Sequence, residues 1–130
     1  MNNLMKNKRG LVMGVANDKS IGWGIAKAIS DQGGELAFTY QGEALKKRVI
    51  PLADSVNSEI VLPCDVSNDE DIDNTFNELK KKWPKIDFLV HAIAFSDKDE
   101  LKGDYIDTSR ENFINTMDIS VYSFTAIARR

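Results

Sequence analysis

The stretch Gly14-Val15-Ala16-Asn17-Asp18-Lys19-Ser20-Ile21-Gly22-Trp23-Gly24 places three of the chain's eight glycines in one turn. It follows a short apolar run and leads into a segment with helical spacing. Glycine at 14 lets a chain turn sharply off a strand. Gly22 and Gly24 open the following segment, where a bare Cα lets backbone approach a ligand and a helix approach a sheet. First-turn amides and the helix dipole favour an anion, so the chemistry on offer is phosphate binding. Ser20 either adds a hydroxyl donor or caps the helix. Seven residues separate Gly14 from Gly22, so the spacing departs from G-x-G-x-x-G. The strand–turn–helix context is nevertheless the one a dinucleotide pyrophosphate requires. No Gly-Lys-Ser/Thr ends the loop, which disfavours a nucleoside triphosphatase.

Four further positions carry polar or reactive groups at the ends of apolar runs. Gln41 closes the second run, where dinucleotide folds often hold an acid for the adenosine ribose, and Glu43 follows it. Glutamine can hydrogen-bond there without adding charge, and no arginine sits at the strand end to meet a 2′-phosphate. NADH is therefore favoured over NADPH, although Lys46 to Arg48 come shortly after. Asp65 follows the third run; from its setting before Val66-Ser67, a turn or helix-entry acid is the simplest role. Cys64 is the single cysteine, which excludes an internal disulfide and a cysteine-only metal site and reads as a reduced, buried thiol. His91, the single histidine, reads as a satisfied strand-end residue rather than a catalytic base, and metal binding finds no support.

These residues need elements to place them. Gly10–Met13, Leu36–Tyr40, Ile60–Leu62 and Ile86–Val90 recur about every 25 residues, the interval that a strand, a crossover helix and two tight loops require. Runs so short and apolar suit strands buried on both faces of a parallel sheet. Helical spacing appears over Ser20–Gln32 (Ile21, Ile25, Ala28, Ile29), with a stop at Gly33-Gly34, and over Glu43–Ser55 (Leu45, Val49, Leu52, then Val56), where Pro51 should kink or divide the helix. It recurs over Asp69–Trp83 (Ile72, Phe76, Leu79, Trp83), with Ser67 as N-cap and Pro84 as stop. From Ser109 to the end, Phe113, Met117, Val121, Phe124 and Ile127 form one helical stripe. The alternation predicts a Rossmann-type, doubly wound α/β fold: a parallel sheet with right-handed crossovers in a three-layer α/β/α arrangement. Residues 1–130 read as one dinucleotide-binding domain, ending after the fourth βα unit in a way that suggests truncation.

Composition narrows the class. With 42% hydrophobic and 28% charged residues and a net charge of −3, the chain is that of a soluble globular protein, with no case for nucleic acid or an anionic membrane as partner. The runs Lys46-Lys47-Arg48 and Lys80-Lys81-Lys82 lie in helical patterns and read as solvated faces. Met1 to Arg9 has no signal-peptide core, and no run approaches a membrane span, so a cytoplasmic location is expected.

Taken together, the motifs resemble the short-chain dehydrogenase/reductase superfamily and, within it, bacterial enoyl-[acyl-carrier-protein] reductases. The resemblance is carried by Gly14-Val15-Ala16 with Ser20-Ile21, Glu35 to Gln41, Cys64-Asp65-Val66, Trp83-Pro84-Lys85, His91 to Phe95, and Asp118-Ile119-Ser120 with Tyr122-Ser123-Phe124. It implies NADH-dependent reduction of the trans-2-enoyl double bond of acyl-carrier-protein thioesters in type II fatty acid biosynthesis, by a homotetramer when full length. By the same resemblance, Gly14, Ser20 and Ile21 form the pyrophosphate turn, Gln41 lies beside the adenosine, and Asp65 and Val66 recognise adenine. Ile93 lines the nicotinamide side, and Ser96 falls where the family contacts substrate, here through backbone. Ala94 stands where the family usually has glycine. Asp97 to Tyr105 resembles a loop bordering the substrate cleft.

The family's catalytic tyrosine and lysine, six residues apart, are expected beyond Arg130. Tyr40 and Lys47 match that spacing by coincidence, since Tyr40 ends the second strand on the adenosine side. The isolated chain is thus expected to hold cofactor without turning over. A non-catalytic nucleotide-binding remnant and another short-chain carbonyl reductase are the alternative readings; the latter would normally carry an asparagine-rich motif in place of His91-Ala92-Ile93-Ala94.

Overall fold

The computed structural model describes residues 3–130. Its strands are β1 (Arg9–Met13), β2 (Glu35–Tyr40), β3 (Val61–Pro63) and β4 (Phe88–His91). Between and after them come α1 (Ile21–Asp31), α2 (Glu43–Ser55), α3 (Asp69–Lys82), α4 (Arg110–Met117) and α5 (Ser123–Ala128). All pairings are parallel, in the order β3-β2-β1-β4. The chain therefore winds outward from β1 through β2 to β3, then crosses back to place β4 on the other side of β1. That reversal is the topological switch point at which open α/β sheets bind ligands.

Alternation along the strands divides the core into two layers. Leu11, Met13 and Ala37 face α3 and α5, packing with Ile72, Phe76, Leu79, Trp83, Ala126 and Ile127. Val12, Leu36 and Phe38 face α1 and α2, packing with Trp23, Ala26, Val49 and Ala53. Both sheet faces are covered, which is why the strands read as continuous apolar runs rather than alternating ones. The three-layer α/β/α expectation is met. No helix among the described residues is long and apolar enough to cross a membrane.

Several local expectations hold. α1 ends with the Gly34 amide donating to the Ile29 carbonyl and the Gly33 amide to Ser30, the paired bonds of a Schellman stop. α3 buries Ile72, Phe76 and Leu79 as its spacing predicts.

Four others are corrected. α2 runs undivided through Pro51, because Pro51 and Lys47 both lie on the exposed side, where solvent can reach the carbonyl the proline leaves unbonded. The N-cap of α3 is Asn68, whose side chain accepts from the Asp71 amide at 3.1 Å, and not Ser67. In α1 the buried residues are Gly22, Trp23 and Ala26, whereas Ile21 is 80% exposed. Gly22 lets the helix seat closely on the turn, and Trp23 packs against Phe38 behind it. The last helical stretch is not one α-helix: a π-helical turn at Asp118–Tyr122 separates α4 from α5, and Phe113, Met117, Val121 and Phe124 stand exposed. The Ser123 hydroxyl donates to the Ile119 carbonyl at 2.6 Å, the kind of side-chain insertion into the helical ladder that accompanies such a turn.

Candidate functional site

Strand register brings four strand ends to one edge of the sheet: Met13 lies opposite His91, and Tyr40 opposite Pro63. The residues that follow these ends, Gly14, Gln41, Cys64 and Ala92, all line one cleft of about 380 Å³. The cleft crosses the carboxyl ends of β3, β2, β1 and β4 and so spans the switch point. Its size falls at the lower end of the range for small-molecule sites.

The turn after β1 has the most demanding backbone. Gly14 has φ +104, and a Cβ built there would land on the Ala92 carbonyl. Only glycine combines that dihedral with that approach of β1's exit to β4's exit. Gly22 serves packing: a Cβ there would touch the Ala92 methyl at 3.3 Å and Val15 at 3.5 Å, so the helix start sits tightly against both strand exits. At Gly24 an added Cβ meets nothing within 4 Å.

Ser20 occupies the N-cap position of α1 but makes no side-chain cap bond to the helix. Its hydroxyl turns back instead, accepting from the Ala16 and Asn17 amides at 2.9 and 3.1 Å, and so braces the glycine turn from within. The carbonyl of Ser20 takes the Trp23 and Gly24 amides. The Ile21 and Gly22 amides make no hydrogen bond among the described residues, leaving them as the free donors of the helix N-terminus. Neither Ser20 nor Ile21 lines the cleft; what they contribute is turn geometry and a backbone amide.

At the β2–β3 end, Gln41 is exposed on the rim, beyond the buried Tyr40 ring, and Leu45 of α2 closes one wall. Asp65 takes part in a local network. One carboxylate oxygen accepts from the Ser67 amide at 3.0 Å and from the Ser67 hydroxyl at 2.6 Å. Its own amide donates to the Asp71 carboxylate at 2.9 Å. The second carboxylate oxygen of Asp65 has no partner among the described residues. The turn role read from the residues alone is thus real and uses half of the carboxylate. Val66 is buried beside it, and Cys64, also buried, is a free thiol whose pKa burial raises, outweighing the Thr75 hydrogen bond that lowers it.

At the β4 end, His91 is satisfied, as expected. Its Nε2 lies 2.7 Å from the Ser123 hydroxyl, which already donates to the Ile119 carbonyl, so Nε2 is the donor. Burial lowers its pKa, and the Phe124 ring meets it edge-on at 5.5 Å. After it Ala92, Ile93, Ala94 and Phe95 line the cleft, with Asn115 and Ile119 opposite. Ser96 falls outside this cleft; its hydroxyl accepts from the Asn112 amide group at 3.1 Å. Gly14, Gln41, Asp65, Val66 and Ile93 are brought together, whereas Ser20, Ile21 and Ser96 are placed behind or beside the walls. Asn115 carries no signal in the sequence, because its place depends on how α4 packs over the segment after β4. The cleft's titratable side chains, Tyr40, Cys64, Asp65, all lie at the β2–β3 end, and the β4 end offers none among the described lining residues.

Comparisons with known proteins place the fold in a family. A family model described as enoyl-(acyl carrier protein) reductase matches residues 14–130. Enoyl-[acyl-carrier-protein] reductase [NADH] 2 of Rhizobium meliloti is 62% identical over 130 residues, which is 100% of this chain and 48% of that protein. The Aquifex aeolicus enzyme FabI is 50% identical over 126 residues, 97% of this chain and 47% of that protein. Among solved structures, FabI of Candidatus Liberibacter asiaticus superposes with a TM-score of 0.97 at 54% identity, covering 99% of this chain and 50% of that one. The reductase of Anaplasma phagocytophilum, solved in complex with NAD, gives 0.95 at 56% identity, covering 99% of this chain and 49% of that one. The chain spans about half the length of the curated relatives it matches. With a family model covering most of its length and a fold shared almost throughout, the chain belongs to the enoyl-(acyl carrier protein) reductase family.

Proposed function

We propose that this chain is the cofactor-binding half of an NADH-dependent enoyl-[acyl-carrier-protein] reductase of type II fatty acid biosynthesis. The observation that carries the reading is the cleft across four strand ends, with a positive-φ glycine turn over its centre and a half-free carboxylate at one end. A dinucleotide fits that layout. The Gly14 turn, braced by Ser20, and the free amides at Ile21 and Gly22 hold the pyrophosphate. Gln41 meets the adenosine ribose without adding charge, which supports NADH over NADPH. The free oxygen of Asp65 accepts from the adenine amine, with Val66 completing that edge. Ile93 borders the nicotinamide, and Ser96 meets substrate through its backbone.

When bound, NADH supplies the hydride for the enoyl double bond. The residues of this chain bind and orient it. The proton donor and the group that stabilises an enolate come from elsewhere, because the wall at the β4 end is Ile93, Ala94, Phe95, Asn115 and Ile119. The reading extends to a cytoplasmic homotetramer acting on a thioester carried by acyl carrier protein, as the names of the relatives support for the substrate.

Titration of the chain with NADH and NADPH, followed by mixing with a crotonyl thioester, tests this. Saturable binding with NADH preferred and no consumption of NADH is the expected result. Absence of NADH binding overturns the cofactor assignment, and turnover by the 130 residues alone overturns the division of labour.

A further inference from the structure

The segment after β4 forms one wall of the cleft, yet almost nothing of the backbone holds it. The Ala92 amide still donates to the Met13 carbonyl. The next backbone–backbone bond along the chain among the described residues is Glu100 to Asp97. Between them the wall is tied down by two side chains. Ser120, within the π-helical turn, accepts from the Phe95 amide at 3.0 Å and reaches the Phe95 carbonyl at 3.3 Å, engaging both polar groups of one residue. Asn112, in the first turn of α4, accepts from the Asp97 amide at 3.0 Å and donates to the Ser96 and Thr108 hydroxyls, each at 3.1 Å. Its amide group thereby joins the start of the loop to its end.

We infer that Asn112 and Ser120 are positioning residues that clasp Phe95–Asp97 onto α4 and the π-turn, and thereby set the affinity of the cleft's β4 end. The inference rests on the proposed function, which gives that end to the nicotinamide ring and the β2–β3 end to adenine. Neither side chain needs to touch cofactor. Their effect is confined to one end of the ligand, and this separates a clasp from a general contribution to folding.

The test compares NADH and AMP binding by calorimetry in the wild-type chain, Ser120→Ala, Ser120→Thr and Asn112→Ala, with hydrogen exchange read at individual amides. Loss of one such bond is expected to weaken NADH roughly fivefold. AMP, which fills only the adenine end, is expected to bind unchanged. Ser120→Thr keeps the hydroxyl and restores NADH affinity. The Phe95 amide exchanges faster in Ser120→Ala and the Asp97 amide in Asn112→Ala, and the latter variant carries the same NADH/AMP split if the former fails to fold. Unchanged NADH affinity in both alanine variants, or an equal fall for NADH and AMP, overturns the inference while leaving the cofactor assignment standing. A wild-type chain that binds AMP but not NADH, or neither, overturns the assignment and the inference with it.

Discussion

Replacing Gly14 with alanine tests the turn on which the cleft is built. Two costs add at this position. A φ of +104 is a conformation that L residues rarely adopt, and holding a side chain there costs about 1–3 kcal/mol. The new methyl group also falls on the Ala92 carbonyl, which is backbone and cannot step aside as a flexible side chain would. Overpacking of this kind costs about 1–3 kcal/mol more as β1 and β4 part at their exits. The sum centres on about 4 kcal/mol, a large share of a small domain's stability, and corresponds to a fall in Tm of roughly 15 °C. Thermal unfolding followed by circular dichroism, with urea titration for the free energy, measures it. Gly24→Ala is the internal control. It lies in the same helix start with nothing within 4 Å of its Cβ, and in a helix alanine gains about 0.5–1 kcal/mol over glycine. A Gly14→Ala chain that melts within about 2 °C of wild type, or a Gly24→Ala chain that loses as much as Gly14→Ala, refutes the reasoning.

Asn68→Ala removes the cap of α3 and is expected to cost about 1 kcal/mol in urea unfolding, more than the loss for an exposed mid-helix substitution such as Asn77→Ala. His91 has its pKa lowered by burial, so the unfolded chain binds a proton more readily than the folded one. Its contribution to stability is therefore complete above the ordinary value of 6.5 and declines as pH falls below it. Melting curves between about pH 8 and 5.5 should show a decline that shrinks in His91→Gln. The Cys64 thiol, raised by burial and lining the cleft, should react with iodoacetamide more slowly than free cysteine at about pH 8, and more slowly still with NADH present; equal rates would contradict its placement.

The layout of the fold was largely legible. Four apolar runs at near-constant interval are hard to satisfy except by strands separated by crossover helices, and all four strands lie on those runs. What periodicity could not supply was which face a helix buries when small residues are selected for close approach. In α1 the Ile21–Ile25 spacing looks like a core stripe, but Gly22 and Ala26 face inward because the helix must sit on the glycine turn. Periodicity held only at one end after Ser109: Ile127 is buried as its spacing predicts, but the π-turn interrupts the helix, and Phe113, Met117, Val121 and Phe124 stay exposed.

The site was legible in part. The glycine turn, by its context, announces an anion at a strand–helix junction. Asp65 shows the limit: its residue type and setting describe a turn acid, and the turn bond to Ser67 is there. That its other oxygen is left free inside a cleft depends on β3 lying beside β2, which no local pattern states. Asn112 and Ser120 are more hidden still. They are ordinary polar residues on a helix, and only the unpaired backbone of the segment across from them gives them work.

The central claim is that this cleft holds NADH with adenine at Asp65, and titration of Asp65→Asn against the wild-type chain tests it most directly. The substitution keeps an oxygen for Ser67 and replaces the free acceptor by a donor, so the turn is retained while the adenine contact is lost. The account predicts NADH binding at least about tenfold weaker, as for a charge-assisted hydrogen bond, with Tm little changed. An affinity equal to that of wild type in a folded Asp65→Asn chain would contradict it.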